Sequence, residues 1–286
     1  MPVLACLRLI RRLFMPLLLG ALLLAGLSAC SGAGPDKTLT LGTLLPTSGA
    51  DGAVGLAMQR AVDLAVRQNA SLPKGYSLTV TRLDENVASG DSAATTFANN
   101  NQVVGIVGPM ESATALVMLP IVEQQGIATI SPAATLPGLT QADAAATEGL
   151  AFSQLHPTGK PVAFFRLPAT DSALGKAAAQ GLNAKAVFVV DDGTASGKAQ
   201  AAAFRAELKV QSGTLAGQAT LTLGAQDNTQ SVVSAIIDTY PDVVFCACDI
   251  AAGAELRSTL SLTGAPQLRL LTSGPSADDP NWSALV

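Results

Sequence analysis

The sequence predicts an α/β protein of two lobes, each a parallel sheet flanked by helices. Three observations carry this. Short apolar runs alternate with helical stretches from residue 39 to residue 271. A polar, Ala- and Gly-rich segment at 141–161, with Pro157 and Pro161, splits the alternation into two series. The composition, 49% hydrophobic and 13% charged, is that of a folded chain rather than a disordered one. Strands buried on both faces read as continuous apolar runs, and strand–helix alternation builds parallel sheets.

The first series opens with a strand at 39–45 and a helix at 54–69, where Val54, Met58, Val62 and Val66 recur four apart. Leu78 and Val80 alternate with Ser77, Thr79 and Thr81 in a second strand. A weaker helix at 92–100 leads to a buried strand at 103–107. A helix at 112–125 is stopped by Gly126 and followed by a strand at 127–130. The second series starts with a strand at 163–167, then a helix at 171–181 capped by Asp171 or Ser172. Strand 186–190, helix 198–210 and strand 219–223 follow. A helix capped by Asn228 and stopped by Pro241 precedes strand 243–248, helix 251–262 and strand 268–271. The predicted division is a first lobe at 38–150 and a second at 151–286.

The N-terminus has the organisation of an export signal. Arg8, Arg11 and Arg12 precede an apolar stretch at 13–27, which ends in Leu27-Ser28-Ala29-Cys30. That run resembles a bacterial lipobox, which implies a signal peptide at 1–29, lipidation of Cys30 and a tether at 30–37. Beyond it no apolar run reaches the roughly 18 residues of a spanning helix. Net charge −4, pI near 5.0 and 4% aromatic residues argue against nucleic-acid binding. Cys246 and Cys248, two apart in an apolar run, would face the same side of a strand, which favours two buried thiols over a disulfide.

Three segments in order carry a family resemblance: Leu44-Leu-Pro-Thr-Ser-Gly49, Gly108-Pro-Met-Glu-Ser-Ala-Thr114 and Gly126-Ile-Ala-Thr-Ile-Ser-Pro-Ala-Ala-Thr135. With them the chain resembles the type I periplasmic binding proteins for leucine, isoleucine and valine, the solute receptors of ABC importers. The resemblance spans roughly residues 39–275 and is more specific in the first lobe. It implies two Rossmann-like lobes (periplasmic binding protein-like I) that close on a ligand. It also implies a non-enzymatic receptor without a cofactor, an ABC permease as partner and an extracytoplasmic, lipid-anchored location.

Carried over by position, Ser112 offers its N–H and hydroxyl to a ligand carboxylate at a helix start. Ala133, Ala134 and Thr135 line the pocket, with Thr135 near the ammonium; Ser48 sits at a loop lining the cleft. A helix N-terminus favours an anion by about 0.3–1 kcal/mol. On residue type alone, Ser112 reads as a plain N-cap and Thr135 as a turn residue. In the second lobe Ser196 and Asp249 occupy positions where amino-acid binders of the family have aromatic residues. Glu111 adds an unusual negative charge, read here as solvated. The family's return crossover to the first lobe has no counterpart before Val286, so a shortened chain with an incomplete first lobe is expected.

Other signals fail. The segment 193–198 is one residue short of a phosphate loop. His156, the sole histidine, has no nucleophile elbow to serve, which counts against catalysis there. Asp191 and Asp192 are loop caps or cleft residues. From Leu83 to Gly159 there is no Lys or Arg against seven acids, a field that steers cations or merely reflects composition. The expected function is an extracytoplasmic receptor for an amino acid or similar small polar ligand. A sensory ligand-binding lipoprotein without a transport role is the first alternative, and a secreted α/β hydrolase the second.

Overall fold

A computed structural model describes residues 37–49, 51–68, 71–157, 162–182 and 185–272. The signal peptide, Cys30, most of the tether and the C-terminal residues 273–286 lie outside the described residues, so the expectations placed on them have no structural counterpart.

The first half runs β1 (Lys37–Leu45), α1 (Gly52–Gln68), β2 (Tyr76–Asp84), α2 (Gly90–Ala98), β3 (Val103–Val107), α3 (Ser112–Val122) and β4 (Ala128–Ser131). Two short helices, α4 (Ala142–Thr147) and α5 (Phe152–Leu155), lead to β5 (Phe164–Arg166). The second half runs α6 (Asp171–Gln180), β6 (Ala186–Asp191), α7 (Ala195–Val210), β7 (Thr214–Thr220), α8 (Gln226–Thr239), β8 (Val243–Ala247), α9 (Ile250–Leu262) and β9 (Arg269–Thr272). All pairings are parallel, in the orders β2-β1-β3-β4-β5 and β7-β6-β8-β9.

One strand changes sides. The strand expected at 163–167 opens no second series: Phe164, Phe165 and Arg166 pair with Thr129, Ile130 and Ser131, extending the first sheet. Phe164 then fills the core beside Phe97, Ile106 and Leu119. The chain passes to the second sheet after Arg166, through residues 167–170.

The segment at 141–161 is correspondingly no plain linker. His156 is buried; its Nδ1 lies 2.8 Å from Glu123 Oε2 and its Nε2 2.8 Å from the Leu139 carbonyl. Glu123 Oε1 also accepts from Ala163 N at 3.1 Å. The pair ties the segment to the end of α3, a long-range contact that leaves no trace in sequence periodicity.

The second sheet has the continuous apolar strands that two covered faces demand. Val187 through Val190 and all of β8 are buried. On one face Val232, Ile236 and Leu256 close the core; on the other Phe204 stacks on Phe245 with ring centroids 4.0 Å apart. Cys246 and Cys248 are disulfide-bonded, against the expectation of two thiols. Strand geometry misled there because Cys248 lies beyond the end of β8, so its Cα stands 5.2 Å from that of Cys246.

Candidate functional site at the strand ends

The chemistry-bearing loops gather at the C-terminal ends of the parallel strands, where open α/β sheets take their ligands. After β1, Thr47 N and Ser48 Oγ donate to the two oxygens of Asp84, at 2.5 and 2.6 Å. These bonds, Ser48 first, hold the Asp84 carboxyl below its ordinary range. Ser48 therefore anchors its own loop. After β3, Gly108 adopts φ +117°, and a Cβ there would stand 2.0 Å from the Leu44 carbonyl oxygen. Only glycine brings the turn this close to β1.

The start of α3 is already occupied by an internal acid. Glu85 accepts from Met110 N at 2.6 Å and Glu111 N at 2.8 Å, and it is 8% exposed. Burial outweighs those two bonds and pushes its carboxyl up to about 7. Ser112 turns inward as well. Its Oγ accepts from Thr135 N at 3.0 Å and from Leu136 N at 3.1 Å. Ser131 Oγ donates to the Pro109 carbonyl at 2.6 Å and accepts from Ala134 N at 2.8 Å. The loop at 133–136 is thus stitched to the start of α3, with Ala134 buried and Ala133 and Thr135 partly open. Arg166 holds the same loop from behind, donating to the Leu136 carbonyl at 2.7 Å and to Thr140 Oγ1 at 2.8 Å.

The second half presents three acids and a serine. Thr194 caps α7 and accepts from Gly197 N, while Asp192 Oδ1 holds Thr194 and Asp192 Oδ2 accepts from Asp249 N at 3.0 Å. Asp249 caps α9 through Ala252 N at 2.7 Å. Asp191 accepts from Gly193 N and Thr220 Oγ1. Ser196 lies in the first turn of α7.

The residue that joins the halves is one the sequence misassigned. Thr170, not Asp171 or Ser172, caps α6, accepting from Ala173 N at 3.3 Å. Asp171 is instead fully buried, its N–H donating to the Thr135 carbonyl at 3.0 Å. Oδ1 accepts from Gln200 Nε2 at 2.8 Å, whereas Oδ2 is buried with no hydrogen bond of ordinary geometry. Desolvation raises the carboxyl, opposed by Gln200 and by the nearby hydroxyls of Thr135 and Ser196. Two expected site residues from opposite halves therefore flank one buried acid. Glu111 is open to solvent yet close enough to protein that desolvation raises its carboxyl, helped by the charges of Asp51 and Asp249. Glu111, after β3, and Asp249, after β8, are thus within reach of one another's charge.

Among the described residues no group of three His, Cys, Asp or Glu side chains could hold a metal ion, and no helix is long and apolar enough to cross a membrane. The sequence profile of the periplasmic binding proteins matches residues 38–286. The chain belongs to the periplasmic binding protein family.

Solved members of this periplasmic binding architecture share the fold at low identity. An ABC-transporter solute-binding protein from R. palustris, in complex with 4-hydroxybenzoate, is 17% identical with a TM-score of 0.70; the match covers 86% of this chain and 65% of that one. A leucine binding protein from Thermotoga maritima is 20% identical with a TM-score of 0.69, over 86% and 66% of the two chains. The branched-chain amino acid transporter substrate-binding protein of Streptococcus pneumoniae, in complex with isoleucine, is 22% identical with a TM-score of 0.65, over 82% and 64%. The chain thus spans about two thirds of the length of these relatives. No curated protein sequence matches it. The α/β architecture and the family expected from the three motifs both stand.

Proposed function

We propose that this periplasmic binding protein is the extracytoplasmic solute receptor of an ABC importer, a non-enzymatic lipoprotein anchored through Cys30. It captures an amino acid or a similar small polar ligand between its halves and delivers it to a membrane permease. The observation that carries the reading is the buried Asp171 carboxylate, held between Thr135 of one half and Ser196 of the other. A polar group buried without a full set of partners costs free energy unless something else completes it, and a ligand between the halves would do so. The solute-binding function of the structural neighbours supports the same reading.

In this reading Ser112, Ala133, Ala134 and Thr135 form the first-half wall, Ser48 steadies its rim, and Ser196 and Asp249 face them. Thermal-shift measurements with a panel of amino acids, amines and aromatic acids test it, since a receptor is stabilised by its ligand and leaves it unchanged. Thr135→Ala should weaken the best panel compound by about 1.5–3 kcal/mol, roughly tenfold or more. Ser112→Ala should also lower the melting temperature without ligand, because two backbone N–H groups lose their acceptor. Wild-type binding in both variants would place the site elsewhere.

A further inference from the structure

The family resemblance led us to expect a carboxylate at the start of α3, and the groups that would hold one are engaged. Met110 and Glu111 give their N–H groups to Glu85, and Thr135 and Leu136 give theirs to Ser112 Oγ. Glu111 stands beside Ser112 and is crowded by the charges of Asp51 and Asp249. Continuing from Ser112 through Thr135, the same wall reaches Asp171, whose Oδ2 is fully buried and lacks a hydrogen bond of ordinary geometry.

Arg166 acts on Asp171 through its charge, but among the described residues no ion pair joins a cation to Asp171, Glu111 or Asp249. The ion pairs among the described residues join Arg82 to Asp63, His156 to Glu123 and Lys176 to Glu207. Arg166 spends its terminal nitrogens on loop carbonyls and Thr140, and its buried Nε makes no hydrogen bond. A buried carboxylate is stable only when paired and hydrogen-bonded, and acids gathered in a recess raise the local concentration of cations.

We propose that the ligand is a small organic cation without a free carboxylate, of the diamine or guanidino-amine class. One nitrogen group completes Asp171 between Thr135 and Ser196, and the other faces Glu111 and Asp249. This rests on the receptor reading above and narrows its ligand. It also gives a different role to the positions where amino-acid binders carry aromatic residues, because Ser196 and Asp249 offer oxygen to a donor-rich ligand rather than a ring to an apolar one.

Agmatine, putrescine, leucine and 4-hydroxybenzoate, titrated separately into the full chain by calorimetry and thermal shift at neutral pH, decide the matter. Agmatine or putrescine should bind and raise the melting temperature, and leucine and 4-hydroxybenzoate should not. Asp171→Asn should weaken the amine at least tenfold while its ligand-free melting temperature stays level or rises, since a buried charge is removed. Should that variant fail to fold, Glu111→Gln, at an exposed position, should weaken the amine severalfold and flatten its salt dependence. Binding of leucine or 4-hydroxybenzoate in preference to the amines overturns the inference and leaves the receptor reading standing. So does amine binding indifferent to the acid substitutions. Binding by none of the four overturns both.

Discussion

Glu85 shows how a single residue can set the pH response of this fold. Its carboxyl titrates at about 7 in the folded chain against 4.5 as its ordinary value, because burial outweighs two backbone N–H donors. Between those values the folded chain keeps a proton that the unfolded chain has released. Glu85's contribution to stability is therefore greatest below about pH 4.5, falls as pH rises toward 7 and is flat above. The whole loss is about 3 kcal/mol. Glu85→Gln should remove that slope, so that urea melts at pH 5 and pH 8 differ less in the variant than in the wild type; an unchanged difference would show that Glu85 does not control it. Single residues were also where the sequence was hardest to read. Ser112 and Thr135 were singled out through their motifs, and Thr135 N donates to Ser112 Oγ at 3.0 Å. Asp171 was not, since an acid before a helix reads as a cap, and only tertiary burial distinguishes it from Thr170 beside it. Glu85, one residue beyond the alternation of β2, carried no signal at all.

At the scale of elements, α6 and α7 pack so closely that Gly175 is obligatory. A Cβ at Gly175 would lie 2.2 Å from the Gln200 carbonyl oxygen, and Gln200 is the residue whose amide reaches Asp171. Gly175→Val should force the helices apart, costing about 1–3 kcal/mol by overpacking. Because the same shift draws Gln200 from Asp171, ligand-induced stabilisation should weaken as well. Denaturant melts and thermal shifts on this variant would read both, and a variant as stable as wild type would refute the contact. Strand existence was legible almost throughout, because buried parallel strands are apolar runs bounded by turns. Membership was not. The strand β5 is only three residues long, and nothing in Phe164-Phe165-Arg166 says which sheet it joins; its register against β4 does. The short helices α4 and α5 were missed for a related reason. Their six and four residues are too few to display a helical period, and His156 with Glu123 holds them in place at long range.

Across the whole molecule each sheet draws its strands from one continuous stretch of chain, β1 to β5 and then β6 to β9. Contacts within a stretch close short loops, so each half should form without waiting for the other. Among the described residues the passage between sheets is made once, by residues 167–170, where Leu167 is 77% exposed and Ala169 lies open. A specific protease site inserted after Ala169 should give, once cut, a chain with its far-UV circular dichroism intact and its ligand-induced stabilisation diminished. Collapse of secondary structure on cutting would show that the halves depend on one another. That strap also makes this chain divisible in a practical sense. Two genes, one ending and one beginning in residues 167–170, would encode complementary pieces, each with a whole sheet and half of the acid wall. Fused to the parts of a split reporter, such pieces would turn the meeting of Thr135 with Ser196 around Asp171 into a readable light signal.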